Sequence, residues 1–425
     1  MMPMSPTETH GALFLLRTLT EVWGGVNVGF TAMLLWGLHD LQRGWTQARL
    51  TAGPSTAATQ TPPIAILRPC EGDEPGLAEN LRSSLLSPYD GPREVLFLVP
   101  SVEDPAHAIA QAVVRDTQAP ATTARVVVTD PPPLCNRKVW QLEIGLAACP
   151  ADWVVCADSD VRFASGDLPA LLAPLLSGAT ATAGADRPVG AVFAAPIEVA
   201  PQTAWDRAGA DLVTASAQSF LALFAMQALI ARLTHRPSAP QMAGALCAFP
   251  RAALSHIGGI ARFRDCLGED NEIARQLTLH GYRIAVAPRP AHCYDGGRDR
   301  TAVIARVARW QTVVRAQRPA LWPTYPLMLG ATPGVWLLAI AWPSPTLSIF
   351  AMLLSLLRTL LAGWLLRLQG LPAGPARALT AVLSAETLIW IAFWRSARSR
   401  TIQWRGHPFR VESGGRLRPA STPRS

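Results

Sequence analysis

Lysine is all but missing from this chain: among 38 basic side chains only Lys138, in "PLCNRKVWQL", is not an arginine. Charge of any sign is scarce, at 16% of residues against 49% hydrophobic. With a mean hydropathy of +0.20, this composition excludes a disordered chain. The CxxC pair is absent too. The seven cysteines, at 70, 135, 149, 156, 247, 266 and 293, are odd in number, show no zinc-finger spacing, and in several cases fall inside apolar runs. They read as reduced core residues of a cytoplasmic domain. No GxGxxG follows the first apolar strand and no GxxxxGK[ST] occurs anywhere, so the phosphate loops of dinucleotide and P-loop sites are excluded. The net charge of +8 comes from scattered arginines without an interleaved aromatic stripe. Nucleic acid is therefore not an expected partner; anionic lipid or a phosphorylated ligand suits an apolar, arginine-rich chain better.

Long apolar runs, by contrast, are plentiful. "VWGGVNVGFTAMLLWGL" (22–38) lacks a small-residue cleavage site and reads as an anchor rather than a removed signal. Three more runs lie near the C-terminus, at 325–342, 346–366 and 378–394, each near the roughly 20 residues a spanning helix needs. The last two carry one charge each, Arg358 and Glu386, which are expected to pair inside a helix bundle. The expected organisation is a membrane anchor over 1–42, a linker over 43–62 containing "TAGPSTAATQTPP", a domain of mixed polarity over 63–324, two to three transmembrane helices over 325–395, and a basic tail over 396–425. Three C-terminal spans would place the tail across the bilayer from the central domain, whereas its arginines favour the cytoplasmic side; a re-entrant segment would reconcile the two.

Within 63–324, short apolar runs alternate with helical patterns: "PIAILRP", "EVLFLVP", "ARVVVTD" and "DWVVCADSD" are separated by "GLAENLRSSLL", "PAHAIAQAVVRD" and "RKVWQLEIGLAAC". That alternation predicts an α/β fold with a parallel sheet covered on both faces. Ligands of such sheets bind beyond the carboxyl ends of the strands. The polar residues there are Arg68, then Ser101 with Glu103 and Asp104, then Thr129 with Asp130, then Asp158 and Asp160.

Asp158 and Asp160, two residues apart just past a buried strand, can turn the same way and hold Mg2+ or Mn2+ with positions open for diphosphate oxygens. Lys138 starts the helix leading into that strand, where a compact cation beside backbone N–H groups can face a phosphate. In "CLGEDNEIARQLTLHGYRIAVAP", Glu269 and Asp270 open a helix that Gly281 ends. Adjacent carboxylates there are ordinary helix-start residues, but transfer to an alcohol needs a general base and Asp270 is the best candidate. In "RVARWQTVVRAQRP", Arg306, Arg309 and Trp310 offer a cationic and aromatic wall for a leaving diphosphate and an acceptor.

Taken in this order, these clusters resemble the ceramide glucosyltransferase family, membrane-anchored inverting enzymes with a GT-A-like nucleotide-sugar domain, from about residue 62 to 320. "RPCEG" (68–72) followed by "ENLRS", Asn136-Arg137-Lys138, "DSDVR", Glu269-Asp270 and Arg306-Val307-Ala308-Arg309-Trp310 each resemble a motif of that family. One departure stands out: in "SVEDPA", Ser101 occupies the place of an expected aspartate, leaving Glu103 and Asp104. A bacterial branch that glycosylates hopanoids is similar as well.

The resemblance implies transfer of a hexose from a UDP-sugar to a lipid hydroxyl with inversion, foremost UDP-glucose to ceramide. It implies Asp270 as catalytic base, with Arg68, Glu103, Asp104, Lys138 and Asp158 at the donor. Arg306, Arg309 and Trp310 would stand at the diphosphate and acceptor, and Mg2+ or Mn2+ would be held by Asp158 and Asp160. The protein would be integral to a bacterial inner membrane with its catalytic domain cytoplasmic. The segment "QSFLALFAMQALIARL" (218–233) is expected to shape the acceptor site. A hopanoid N-acetylglucosaminyltransferase, a processive polysaccharide synthase and a non-catalytic membrane binder of sugar nucleotide or lipid are the alternatives.

Overall fold

The computed structural model describes residues 6–51, 61–132, 135–176, 187–235, 241–404 and 407–420; part of the expected linker, 52–60, lies outside them. One helix, α1 (Pro6–Thr51), precedes the α/β domain and continues past residue 42 into the stretch read as linker. The runs read as strands form β1 (Ile64–Pro69), β2 (Arg93–Val99), β3 (Thr122–Val128) and β4 (Trp153–Ala157). Too short and too rich in branched residues for stable helices, β1, β2 and β4 are largely buried, Ile66, Phe97 and Val155 wholly so, whereas β3, at the edge of the sheet, has no buried residue. Between them lie α2 (Leu77–Leu86), α3 (Pro105–Asp116) and α4 (Arg137–Ala148), as the alternation predicted.

All four of these strands pair in parallel, with Leu67 of β1 opposite both Leu96 and Cys156. The sheet then continues beyond the expected four. After α5 (Asp167–Leu176) come β5 (Val189–Phe193), α6 (Ala204–Thr214), α7 (Phe220–Thr234), β6 (Leu246–Pro250), α8 (Glu269–Leu279) and β7 (Arg283–Val286). The seven strands are ordered β3-β2-β1-β4-β6-β5-β7, and β6 runs antiparallel to both its neighbours. The sheet is thus mixed rather than wholly parallel. A small second sheet of 161–162, 291–293 and 196–198 lies beyond β4.

The next helix, α9 (Arg300–Gln317), leads to the C-terminal apolar elements. Residues 325–342 do not make one spanning helix. The chain forms a wide turn at Tyr325–Leu329, breaks at Gly330, and resumes as α10 (Ala331–Ala341). Eleven residues rise only about 16 Å, roughly half the hydrocarbon thickness of a bilayer. Two helices of 24 residues follow, α11 (Pro345–Leu368) and α12 (Pro375–Arg398), both long and apolar enough to cross. Arg358 of α11 and Glu386 of α12 pair as expected, at 3.8 Å with 1% of each side chain exposed. Arg358 also donates to the Met328 carbonyl, and Glu386 accepts from the Thr332 N–H at 2.7 Å. The pair therefore fastens the broken segment to both long helices.

The tail is not a loose basic segment. β8 (Thr401–Trp404), β9 (His407–Val411) and β10 (Leu417–Pro419) form an antiparallel sheet that folds back on the α/β domain. Its backbone pairs with the loop before α8: Leu267 N–H donates to Gly415 O and Leu417 N–H to Asp265 O, each at 2.8 Å. The tail therefore packs against the α/β domain.

Candidate active site

The carboxyl ends of β1 and β4 and the start of β6 meet the N-termini of α4 and α8 and one face of α9 around a cavity of about 360 Å³. Lys138, Asp158, Asp160, Asp270, Arg306, Arg309 and Trp310 all line it. Residues from four separate motifs, spread from 138 to 310, converge on one space.

Asp158 and Asp160 flank a turn that the fold holds from beneath. The Arg68 guanidinium, wholly buried, donates to the carbonyls of Ser159 (3.3 Å) and Val161 (2.8 Å) and to the Ser84 hydroxyl (3.0 Å). Asn80 donates to the same Ser159 carbonyl at 3.1 Å, and the Ser159 hydroxyl donates to Glu74. Arg68 is therefore not brought into the cavity as a donor contact: it grips the backbone of the turn. Burial, with the Asp158 charge adding to it, pushes the Asp160 carboxyl up to about 6, against the pull of Arg306.

Lys138 has a position that its isolation in the sequence hinted at. Asn136 caps α4, its carboxamide oxygen accepting from Val139 N–H at 3.2 Å. Two residues on, Lys138 Nζ reaches Asp158 Oδ1 at 2.5 Å, the Gly244 carbonyl at 2.9 Å and Glu269 Oε1 at 3.9 Å. Burial alone would lower its pKa, but the Asp158 and Glu269 carboxylates outweigh that and hold it above the usual lysine value. A compact ammonium suits a contact in which one small cation meets a carboxylate and a carbonyl together.

Asp270, in the first turn of α8, accepts from Gly244 N–H at 3.0 Å through Oδ2 and from Asn271 N–H at 2.8 Å through Oδ1. Gly244 thus serves Lys138 with its carbonyl and Asp270 with its N–H. A side chain there would crowd both, since an added Cβ would lie 3.1 Å from Asp270 Cβ and 3.4 Å from Lys138 Nζ. Burial, reinforced by the neighbouring Glu269 carboxylate and opposed by Lys138, pushes the Asp270 carboxyl up to about 7. A base poised near neutrality suits proton removal from an alcohol.

On the opposite wall, Arg306 pairs with Glu198 and lies 4.8 Å over the Trp310 ring. Arg298 joins Glu198 at 3.5 Å and Asp206 at 3.7 Å. Glu198, Glu74, Gly244 and Arg298 were not singled out in the sequence. Only "MAGALCAFP", a small-residue run opening directly into a strand, carried a readable trace of close approach at Gly244.

Glu103 and Asp104 are not in this cavity. They line a separate, open concavity of about 420 Å³ with Ser101, Asp130 and Arg137. Asp104 is spent on structure: it caps α3 through Ala106 N–H (2.9 Å) and accepts from Gly72 N–H (2.8 Å). Segment 218–233 forms most of α7. Its buried face packs on α1, where an added Cβ at Gly37 would lie 2.8 Å from the Ala225 backbone, while Gln218 and Phe220 line the cavity.

A divalent cation fits the donors present. Asp158 and Asp160 supply the hard oxygen ligands that Mg2+ and Mn2+ take, and a cation there would offset the Asp158 and Glu74 charges that help to raise the Asp160 carboxyl. Among the described residues no group of three or more His, Cys, Asp or Glu side chains is arranged as a closed metal cage. An open two-carboxylate site leaves room for phosphate oxygens.

A curated relative, ceramide glucosyltransferase 3 of Caenorhabditis elegans, is 25% identical over 187 residues, which cover 40% of this chain and 38% of the relative. Among solved structures, a mannosyltransferase from Pyrobaculum calidifontis, in complex with GDP-Man and Mn2+, is similar over 88% of this chain and 99% of its own at 18% identity and a TM-score of 0.45. Glucosyl-3-phosphoglycerate synthase from Mycobacterium tuberculosis, with Mg2+ and UDP, is similar over 59% of this chain and 79% of its own at 18% identity and a TM-score of 0.36. Residues 28–417 match the family described as glycosyl transferase family 21. The match spans nearly the whole described chain, the site motifs included, and the protein is a glycosyltransferase belonging to that family.

Proposed function

We propose that the protein transfers a hexose from a UDP-sugar to a lipid hydroxyl with inversion at the anomeric carbon, foremost from UDP-glucose to ceramide. The observation that carries this reading is the meeting of Asp270 with Lys138, Asp158, Asp160, Arg306 and Arg309 around one cavity. A base near neutrality thereby faces a cluster suited to a diphosphate. In the reaction the acceptor oxygen bonds to the anomeric carbon from the face opposite the leaving group. The bond from that carbon to the diphosphate oxygen breaks with its electron pair on UDP, and the hydroxyl proton passes to Asp270. Asp158 and Asp160 are the residues that would hold Mg2+ or Mn2+, whose chemistry there is to neutralise diphosphate charge. Lys138, Arg306 and Arg309 stabilise the charge that grows on departing UDP, which is where such sites gain most of their rate.

A lipid acceptor and a membrane setting are supported by the apolar side chains that face outward. Phe14 and Leu19 on α1, Leu337 and Ile340 on α10, and Ile349 and Leu356 on α11 are all more than half exposed, a surface water disfavours. The seven cysteines are all free and buried, which suits a catalytic domain on the cytoplasmic face.

The test is an assay of detergent-solubilised protein with Mn2+ or Mg2+, offering UDP-glucose, UDP-galactose or UDP-N-acetylglucosamine against ceramide or a polyol hopanoid. A single-sugar ceramide seen by mass spectrometry, and lost on chelation, supports the reading. A glycosylated hopanoid moves the acceptor to the alternative branch, a polymer points to a synthase, and no product with UDP still bound overturns the transfer.

A further inference from the structure

The loop that delivers Asp270 to the cavity is held by the far end of the chain. Residues 265–268 precede α8, and Gly268, at φ 76°, begins the helix without any side-chain cap. An uncapped first turn that carries a functional carboxylate needs another restraint. Three are present. Asn136 donates to the Cys266 carbonyl at 2.9 Å and to Glu269 Oε2 at 3.0 Å. Gln317, at the end of α9, donates to the carbonyls of Leu267 (3.0 Å) and Gly268 (3.3 Å). The tail supplies the third, pairing Leu267 N–H with Gly415 O and Asp265 O with Leu417 N–H, with Cys266 and Arg416 bridged between them.

The apolar packing follows the same line. Ile402, Phe409, Val411 and Leu417 of the tail form one buried cluster with Leu267 and Val313, and the last two line the cavity. The fit is tight at the crossing: Gly415 has φ 81°, and an added Cβ would lie 3.0 Å from both Gln317 Nε2 and the Leu267 carbonyl. Removing the tail would free one edge of the loop and strip the outer side of Leu267.

We infer that the sheet β8–β10 is a positioning device for the catalytic centre: it clamps residues 265–268 so that the α8 N-terminus holds Asp270 in reacting geometry. Phe409 and Gly415 are its key positioning residues. This rests on Asp270 being the base, and it adds that the sheet β8–β10 takes part in turnover without touching substrate.

The test uses the full-length protein in detergent with UDP-glucose and ceramide, comparing Phe409→Ala, Phe409→Leu, Gly415→Ala and Arg418→Ala, with Asp270→Asn alongside. UDP binding is measured separately by calorimetry. A displaced base costs rate without costing donor affinity, so Phe409→Ala should lose about tenfold or more in kcat. The UDP Kd should stay within about twofold. Phe409→Leu, which refills the cluster, should recover most of the rate. Arg418→Ala, which removes only an exposed pair with Glu412 on the same sheet, should match wild type. If Phe409→Ala does not fold, Gly415→Ala decides by the same kcat and Kd readouts. Wild-type kcat in the deciding variant overturns the inference, and so does parallel loss of UDP binding and turnover in both variants, since the tail would then serve folding alone. Wild-type turnover in Asp270→Asn instead refutes the base assignment, so the two failures are distinguishable.

Discussion

Replacing Lys138 by methionine should shift the pH profile of this enzyme upward. Methionine keeps much of the stem's length and bulk and removes the charge together with the Nζ contacts to Asp158 and the Gly244 carbonyl. Lys138 Nζ and Asp270 Oδ2 both lie within 3.4 Å of the point where a Gly244 Cβ would stand, and Lys138 is among the groups holding the Asp270 pKa down. Two unit charges about 6 Å apart, at an effective dielectric of about 20, interact by roughly 2.8 kcal/mol, or about two pH units. Water and salt in the half-open cavity cut that to roughly one. Asp270 acts as a base only when ionised, so kcat/KM rises through its pKa, near 7 in the wild type. Losing the cation raises that pKa, and the rising limb should move up by about one unit. The rate at the plateau should fall as well, since the proposed reaction sets the same ammonium against the diphosphate. The assay is initial-rate kcat/KM from pH 5 to 9 at saturating metal, with Lys138→Arg as a second variant. A limb that stays in place, or moves to lower pH, would refute the electrostatic link between Lys138 and the base.

Three further outcomes follow from the geometry. Arg68→Met removes the grip on the Ser159 and Val161 carbonyls and leaves them without that donor. Thermal unfolding should show a loss of about 2–4 kcal/mol, with a higher donor KM as the Asp158–Asp160 turn loosens. Asp104→Ala should cost about 1–2 kcal/mol through the lost α3 cap, whereas Glu103→Ala should leave the melting temperature unchanged; equal effects would contradict the separate roles of these neighbours. Gly37→Leu forces a side chain into the Ala225 backbone of α7 and should destabilise the α1–α7 contact by about 1–3 kcal/mol, read as a lower melting temperature in detergent.

Much of this molecule is legible in the sequence where local pattern and distant geometry agree. β1 to β4 and α2 to α4 announce themselves by alternation, and the polar residues at the strand ends mark the face on which the site lies. β5 and β6 do not: "VGAVF" and "LCAFP" are five-residue apolar runs, and nothing local tells an antiparallel strand from a parallel one. Hydropathy over 325–342 was equally blind to the break at Gly330, since the window averages a turn with a helix. Among site residues, Lys138, Asp158, Asp160, Asp270, Arg306, Arg309 and Trp310 are visible through their neighbours. Arg68 was visible and misplaced, because an arginine at a strand end looks the same whether it reaches a ligand or turns under the next strand. Gly244, Glu74 and Glu198 act through partners far off in the chain, Lys138 to Gly244 being 106 residues apart, and no periodicity reports such a meeting. The tail's pairing with 265–267 is one isolated bridge, Cys266 to Arg416, flanked by two backbone hydrogen bonds, too short for any pattern to exist.

The central claim is that Asp270 takes the acceptor proton. It is tested most directly by single-turnover transfer in Asp270→Asn, with UDP-glucose, ceramide and Mn2+, alongside calorimetric UDP binding. The account predicts intact UDP binding and a transfer rate lower by about 10²–10⁴-fold. A variant that binds UDP and transfers glucose at the wild-type rate would contradict it.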